Sequence, residues 1–354
     1  MPAAPRAHSA RTVTARALPA LALAAASALV LAGCASGTPA DEADTGSAPA
    51  ADTAAFPVTI EHAFGETEIA EAPERVVTWG WGATDAAIAL GVVPVAMPFQ
   101  AYGGDENGVL PWIAEALDEL GAETPTVLPD TGEDVPFEDI AAADPDVILA
   151  HYSGLTEEQY ETLSAIAPVV AYEDQPWSTP WRDVISITGE ALGLADEATA
   201  VLDGIDAEIA AAAEANPEFQ GVSLATAWDT AGTFYVYADE DPRVEFMLDL
   251  GFVNAPAVDE LDTDESPFFF TLSYERTSEL ESDVVVVYGS TPEEAQALLD
   301  APYGQAIPAV ADGAVAQLVG TAFIASVSPP TALSLPWGLD EVVAQLAAAV
   351  AEIG

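Results

Sequence analysis

"PFEDIAAADPDVILAHY", residues 136–152, reads as a short helix followed at once by a buried strand. Asp144-Pro145 separates the two, because proline cannot continue a helix. Val147–Ala150 is then four apolar residues without a polar break, as in a strand covered on both faces. The same order recurs in "TEEQYETLSAIAPVVAY" (156–172) and, upstream, in "ATDAAIALG" (83–91) with "VVPVAM" (92–97) and "PWIAEALDELGAE" (111–123) with "TPTVL" (124–128). Before these, "FPVTIEHAFGETEIAEAPERVVTWG" (56–80) alternates around a glycine turn, as a hairpin and then a buried strand. Strands alternating with short helices predict a parallel sheet with helices on both faces.

Residues 181–216, "WRDVISITGEALGLADEATAVLDGIDAEIAAAAEAN", contain no proline and are rich in helix formers, with one break expected near Gly193. The part after the break is long enough to extend ~30 Å, which suits a helix bridging two lobes. The alternation then resumes with strands in "GVSLATAWD" (221–229), "TFYVYAD" (233–239), "SDVVVVYG" (282–289) and "GAVAQLVG" (313–320). Helices are expected in "PRVEFMLDLG" (242–251), "TPEEAQALLD" (291–300) and "LDEVVAQLAAAVAEI" (339–353), with a helix start at "YERTSEL" (274–280). The predicted organisation is an α/β lobe over 56–180, a linking helix over 181–216 and a second α/β lobe over 217–354.

Arg6, Arg11 and Arg16 precede an Ala/Leu/Val-rich run over 17–33 that ends at Cys34, the single cysteine. A basic start, a short apolar core and small residues form a signal peptide, residues 1–33. The run falls below the ~20 residues of a spanning helix. Leu31-Ala32-Gly33-Cys34 resembles the lipobox of bacterial lipoproteins, which implies cleavage before Cys34 and its acylation; the alternative is an ordinary signal peptide with an incidental cysteine. Residues 34–55, small and polar, read as a flexible tether. One cysteine excludes an internal disulfide.

The chain carries seven arginines and no lysine against 59 acids. Removal of the leader leaves four arginines against the same 59 acids, a formal charge of −55. Such a field repels nucleic acid and anionic lipid headgroups. Solubility or a saline or acidic setting accounts for the acidity as a whole, whereas each remaining arginine is informative by position. Arg75 and Arg276 read as surface ion pairs, Arg182 as either a cleft residue or an ion pair. No GxSxG elbow or phosphate-binding glycine loop occurs, which argues against a secreted hydrolase. With only His62 and His151 beyond the leader, no metal-ligand spacing appears.

In order along the chain, "APERVVTWGWGATDAAIALGVVPVAM", "PFEDIAAADPDVILA", "LSAIAPVVAY", "WRDVISITGEALG", "RVEFMLDLGF" and "SYERTSELESDVVVVY" resemble the class III substrate-binding proteins of iron-siderophore and vitamin B12 ABC importers. The resemblance runs from about Pro57 to the C-terminus. It implies two Rossmann-like lobes bridged by one long helix, with a ligand cleft between them. It further implies a monomeric, non-enzymatic receptor, lipid-anchored at the extracytoplasmic face of the cell membrane, that delivers a ferric siderophore to an ABC permease. No cofactor is expected, since the iron arrives already chelated.

Within that frame the cleft is lined by loops at strand C-termini. The expected ligand-binding residues are Trp79 and Trp81 in "WGWGATD", Tyr152 and Ser153 in "HYSG", and Trp177, Trp181 and Arg182 in "DQPWSTPWR". The second lobe supplies Trp228 and Tyr237 in "AWDTAGTFYVY", Arg243, Phe269 in "SPFFFTLS" and Trp337 in "SLPWGLD". Arg243 matches a siderophore-contacting arginine of the family and opens a helix, whose N-terminus favours an anion. Family members that bind catecholates often carry a cation near the position of Ser153; its replacement here implies a low-charge hydroxamate or mixed-type siderophore. Vitamin B12 or haem is the alternative ligand, since aromatic pockets also suit macrocycles. The resemblance also implies permease docking by Glu138 in "PFEDI" and Glu275 in "SYERT", both at helix starts.

Overall fold

The computed structural model describes residues 51–130, 134–263 and 265–353. Cys34, the leader and most of the tether lie outside them. Alternating burial in β1 (Val58–His62) and β2 (Gly65–Ile69) folds these segments into the expected antiparallel hairpin, with Val58 opposite Ile69.

The first lobe then alternates β3 (Val76–Thr78), α1 (Ala83–Ala89), β4 (Ala96–Pro98), α2 (Pro111–Glu119) and β5 (Thr126–Leu128). It continues with α3 (Phe137–Ala142), β6 (Val147–Ala150), α4 (Glu157–Ser164) and β7 (Val169–Ala171). The strands form one parallel sheet in the order β5-β4-β3-β6-β7. Every residue of β3, β4, β6 and β7 is buried, as continuous apolar runs require. The chain fills one side of β3 first and the other side afterwards, so β3 and β6 flank a switch point whose C-terminal end opens into a crevice.

The linking region is two helices, α5 (Trp181–Leu192) and α6 (Ala195–Ala215), broken as expected at Gly193. Gly193 takes a φ of +68°, and a side chain there would meet the ring of Phe56. Asp52 donates its backbone N–H to the Gly193 carbonyl at 3.0 Å and caps a single helical turn over Thr53–Ala55. The expected tether therefore stops short of residue 55: its last five residues, 51–55, dock on the junction of α5 and α6, held there by this backbone bond and by Ala51 and Phe56 against the core.

The second lobe comprises β8 (Ser223–Thr230), β9 (Thr233–Tyr237), α7 (Pro242–Asp249), β10 (Val253–Asn254), α8 (Pro256–Leu261), β11 (Phe269–Leu272) and β12 (Val284–Gly289). It closes with α9 (Pro292–Asp300), α10 (Pro308–Asp312), β13 (Val315–Val319), α11 (Thr321–Ala325) and α12 (Ser334–Val350). The sheet order is β11-β9-β8-β12-β13, with the short β10 also paired to β8. β8, β12 and β13 are parallel, whereas β9 runs antiparallel to both of its neighbours, β8 and β11. The β8–β9 connection is two residues, Ala231 and Gly232, with φ of +51° and +79°, the backbone of a tight hairpin. Residues Tyr274–Glu279, expected to start a helix, form a 3₁₀ turn instead. One core runs through both lobes, from Val76 and Leu149 past Ile205 and Ile209 on α6 to Val286 and Leu318.

Candidate functional site

At the switch point of the first lobe, β3 runs out into Trp79-Gly80-Trp81 and β6 into His151-Tyr152-Ser153. Backbone bonds from Trp79 to Leu149 (2.9 Å) and from Trp81 to Tyr152 (3.0 Å) hold the two loops side by side. Gly80, at φ +93°, is required here because a side chain would collide with the Tyr152 carbonyl. Tyr152 is half-buried and meets the edge of Trp177 at 5.8 Å. Trp177 is half exposed and adopts a φ of +61°.

The second lobe presents the matching ends of its own strands. Trp228 on β8 and Tyr288 on β12 are register partners, with ring centroids 5.9 Å apart. Tyr237, closing β9, stands perpendicular to Tyr288 at 5.9 Å. Phe269 pairs with Tyr237 in register and packs on Tyr235 at 5.5 Å. Arg243, at the start of α7, lays its guanidinium on the Tyr237 face, 3.9 Å from the ring centre. The N-cap residue Asp241 grips it from one side, accepting from Nε at 2.7 Å and from Nη2 at 2.9 Å. Tyr102, in the loop between β4 and α2, reaches across from the first lobe to Trp228 at 6.5 Å.

Burial pushes the phenols of Tyr152 and Tyr237 up to about 12 despite the nearby Arg243 charge, and that of Tyr288 higher still. All three are neutral hydroxyls at physiological pH. Burial also works against the Arg243 charge, but the Asp241 carboxylate more than offsets it, and the guanidinium stays protonated. Trp228 Nε1 and Tyr288 Oη are buried with no hydrogen-bond partner. A buried donor left unpaired costs ~1–3 kcal/mol, so both groups gain from any acceptor that reaches them. Aromatic walls, neutral donors and a single paired cation suit an oxygen-rich ligand of low charge.

Of the residues expected from the sequence, Tyr152, Trp177, Trp228, Tyr237, Phe269 and Arg243 belong to this assembly. Trp81 borders it, donating its indole N–H to the Pro329 carbonyl at 3.1 Å. Trp79 and Trp181 pack into the core and at the same time line small cavities, Trp79 beside Trp177 and Trp181 beside Trp81 and Tyr152. Ser153 is fully buried, its hydroxyl donating to the Ala150 carbonyl at 2.7 Å, so it shapes the turn and does not face a ligand. Arg182 is not at the cleft either: it binds Asp206 (3.0 Å), Glu245 (3.1 Å) and Asp249 (2.9 Å) and thereby ties α5 to α6 and α7. Trp337 packs on Trp112 at 5.4 Å and donates to Glu115 at 3.3 Å, beside α2. Arg276 pairs with Glu279 as expected. Arg75 forms no ion pair among the described residues; its guanidinium caps the end of α3 through the carbonyls of Ala143 and Asp144. Tyr102, Asp241 and Tyr288 were not expected from the sequence. Tyr288 had a signal, since it ends the all-valine run of β12 at the edge where the cleft opens.

The sequence pattern of the periplasmic binding protein family matches residues 76–320. The chain belongs to that family. Among solved structures this binding protein is similar to PiaA of Streptococcus pneumoniae TIGR4 in complex with ferrichrome, at 36% identity over 84% of this chain and 100% of that one, with a TM-score of 0.75. It is also similar to a periplasmic solute binding protein of Mycobacterium smegmatis, at 27% identity over 83% of this chain and 98% of that one, with a TM-score of 0.70. FhuD2 of Staphylococcus aureus with bound ferrioxamine B shares the fold at 15% identity, covering 78% of this chain and 100% of that one, with a TM-score of 0.61. No curated protein matches the chain.

Proposed function

We propose that this binding protein captures a ferric siderophore of hydroxamate or mixed type between its lobes and delivers it to an ABC permease. The observation that carries the reading is the Arg243–Tyr237 stack beside the unpartnered donors Trp228 Nε1 and Tyr288 Oη, at the facing switch points of two sheets. A hydroxamate shell presents carbonyl and N–O oxygens as acceptors, and its ferric complex carries little net charge. The similarity to a protein crystallised with ferrichrome supports the same ligand chemistry. Iron is cargo, enclosed by the siderophore before it meets the protein.

The receptor is anchored at the outer face of the cell membrane through acylated Cys34 and meets the permease through Glu138 and Glu275. Titration of the protein with ferrichrome while following tryptophan fluorescence tests the reading. Trp228 and Trp177 lie at the site, so binding quenches emission saturably. Absence of quenching by ferric hydroxamates, with saturable quenching by haemin or cyanocobalamin, overturns it.

A further inference from the structure

Asp241 is the most deeply buried charged residue of the cleft region, fully enclosed at the start of α7. It caps the helix through Arg243 N–H (2.9 Å) and also takes Nε and Nη2 of the same residue. A cap needs only one acceptor atom. The second oxygen and the charge do something else: they neutralise the Arg243 guanidinium. Arg243 keeps Nη1 outside this grip, and its side chain is 21% exposed. Among the described residues no other cation compensates, because Arg182 is engaged by three acids, Arg276 by Glu279 and Arg75 by helix carbonyls.

We infer that Asp241 is a specificity-determining residue that holds the cleft near zero net charge, so that neutral ferric complexes bind and multiply charged anionic ones are refused. Arg243 then acts as a directed hydrogen-bond donor and an aromatic-stacked surface, with little net pull on distant anions. The buried phenols of Tyr152, Tyr237 and Tyr288, which interact with the pair, are neutral. A tris-catecholate complex with three negative charges meets, at this site, a neutral ion pair and, among the described residues, no unpartnered arginine. The paired charges offer a trianion no net attraction, so the cost of taking its charges out of water goes unreturned.

The inference rests on the proposed siderophore site, and its test separates the two. Affinities for ferrichrome, which is neutral, and for a trianionic ferric tris-catecholate are measured on the wild type, Asp241→Asn and Asp241→Ser. Both replacements retain a helix-capping oxygen, and serine places no amide donor against Arg243. The expected result is a catecholate-to-ferrichrome affinity ratio at least tenfold higher in both variants than in the wild type, with the difference shrinking as salt is raised. A purely structural role weakens both ligands alike and leaves the ratio unchanged, and that result overturns the inference while the siderophore site stands. Failure of the wild type to bind either ligand overturns the site and the inference together. A wild type that already prefers the tris-catecholate overturns the inference alone.

Discussion

Asp85, in the first turn of α1, accepts a hydrogen bond from the hydroxyl of Thr331, 246 residues further along the chain. The same oxygen accepts from Trp112 Nε1 at 2.6 Å. Thr331 precedes α12 in the segment that also receives the Trp81 indole, so this buried carboxylate joins the first lobe to the last crossing of the chain.

That carboxylate makes stability depend on pH in a defined window. Burial pushes Asp85 up to about 6, with the bonds from Thr331 and Trp112 opposing only in part. Between about pH 4 and pH 6 the folded state therefore keeps a proton that the unfolded chain has released, and the contribution of Asp85 to stability falls as pH rises through that window. Asp85→Asn removes the titration. Denaturant unfolding at pH 4 and pH 7 should show the variant gaining on the wild type by on the order of 2 kcal/mol at the higher pH. A difference that is the same at both values refutes the assignment.

Arg182 supports the fold and not the ligand. Arg182→Met keeps a long side chain over the Trp181 ring, where the guanidinium now sits at 4.2 Å, and loses three ion pairs. The guanidinium is partly exposed, so the expected loss is about 1 kcal/mol, seen as a lower midpoint of unfolding. Ferrichrome affinity should remain within about threefold, a shift of less than 1 kcal/mol. A larger loss of affinity returns Arg182 to the binding site.

This residue shows where sequence reading ends. Flanked by Trp181 in a loop-to-helix segment, Arg182 looks as much like a cleft residue as a structural one, because its partners lie 24, 63 and 67 residues away. The first lobe was legible because each buried strand is a short unbroken apolar run between helices. The β8–β9 hairpin was not, since Ala231-Gly232 lacks the Asn or Asp that usually announces such a turn. Of the site, the aromatic residues at strand ends were legible from position alone. Which tryptophans face the cleft was not: Trp79 and Trp81 are two residues apart, yet one fills the core and the other borders the cleft.

Tyr288→Phe should move stability and binding in opposite directions. In the free protein its hydroxyl is buried without a partner, so removing it leaves the fold as stable or more stable. If the hydroxyl donates to the siderophore, ferrichrome affinity falls by about 0.5–1.5 kcal/mol. Unfolding midpoints and fluorescence titration of one preparation check both halves. Unchanged affinity removes Tyr288 from the site, and a marked loss of stability means that it has a partner in the fold.

Docking to the permease gives a prediction that leaves the cleft untouched. Glu138 and Glu275 are both exposed and both lie in the first turn of a helix, that of α3 in the first lobe and the 3₁₀ turn of the second. Neither takes part in an ion pair among the described residues. A carboxylate at such a position is favoured by the helix dipole, which explains its presence without any partner. Docking demands more, namely that charges on the two lobes act together on one permease. Such charges set orientation and encounter rate more than affinity for a small ligand. Glu138→Ala combined with Glu275→Ala should leave ferrichrome affinity of the purified protein unchanged and abolish siderophore-dependent iron uptake by cells. Each single variant, retaining one lobe's charge, should show an intermediate loss. Full uptake by the double variant refutes docking through these residues, and a parallel fall in ligand affinity would place their effect within the fold.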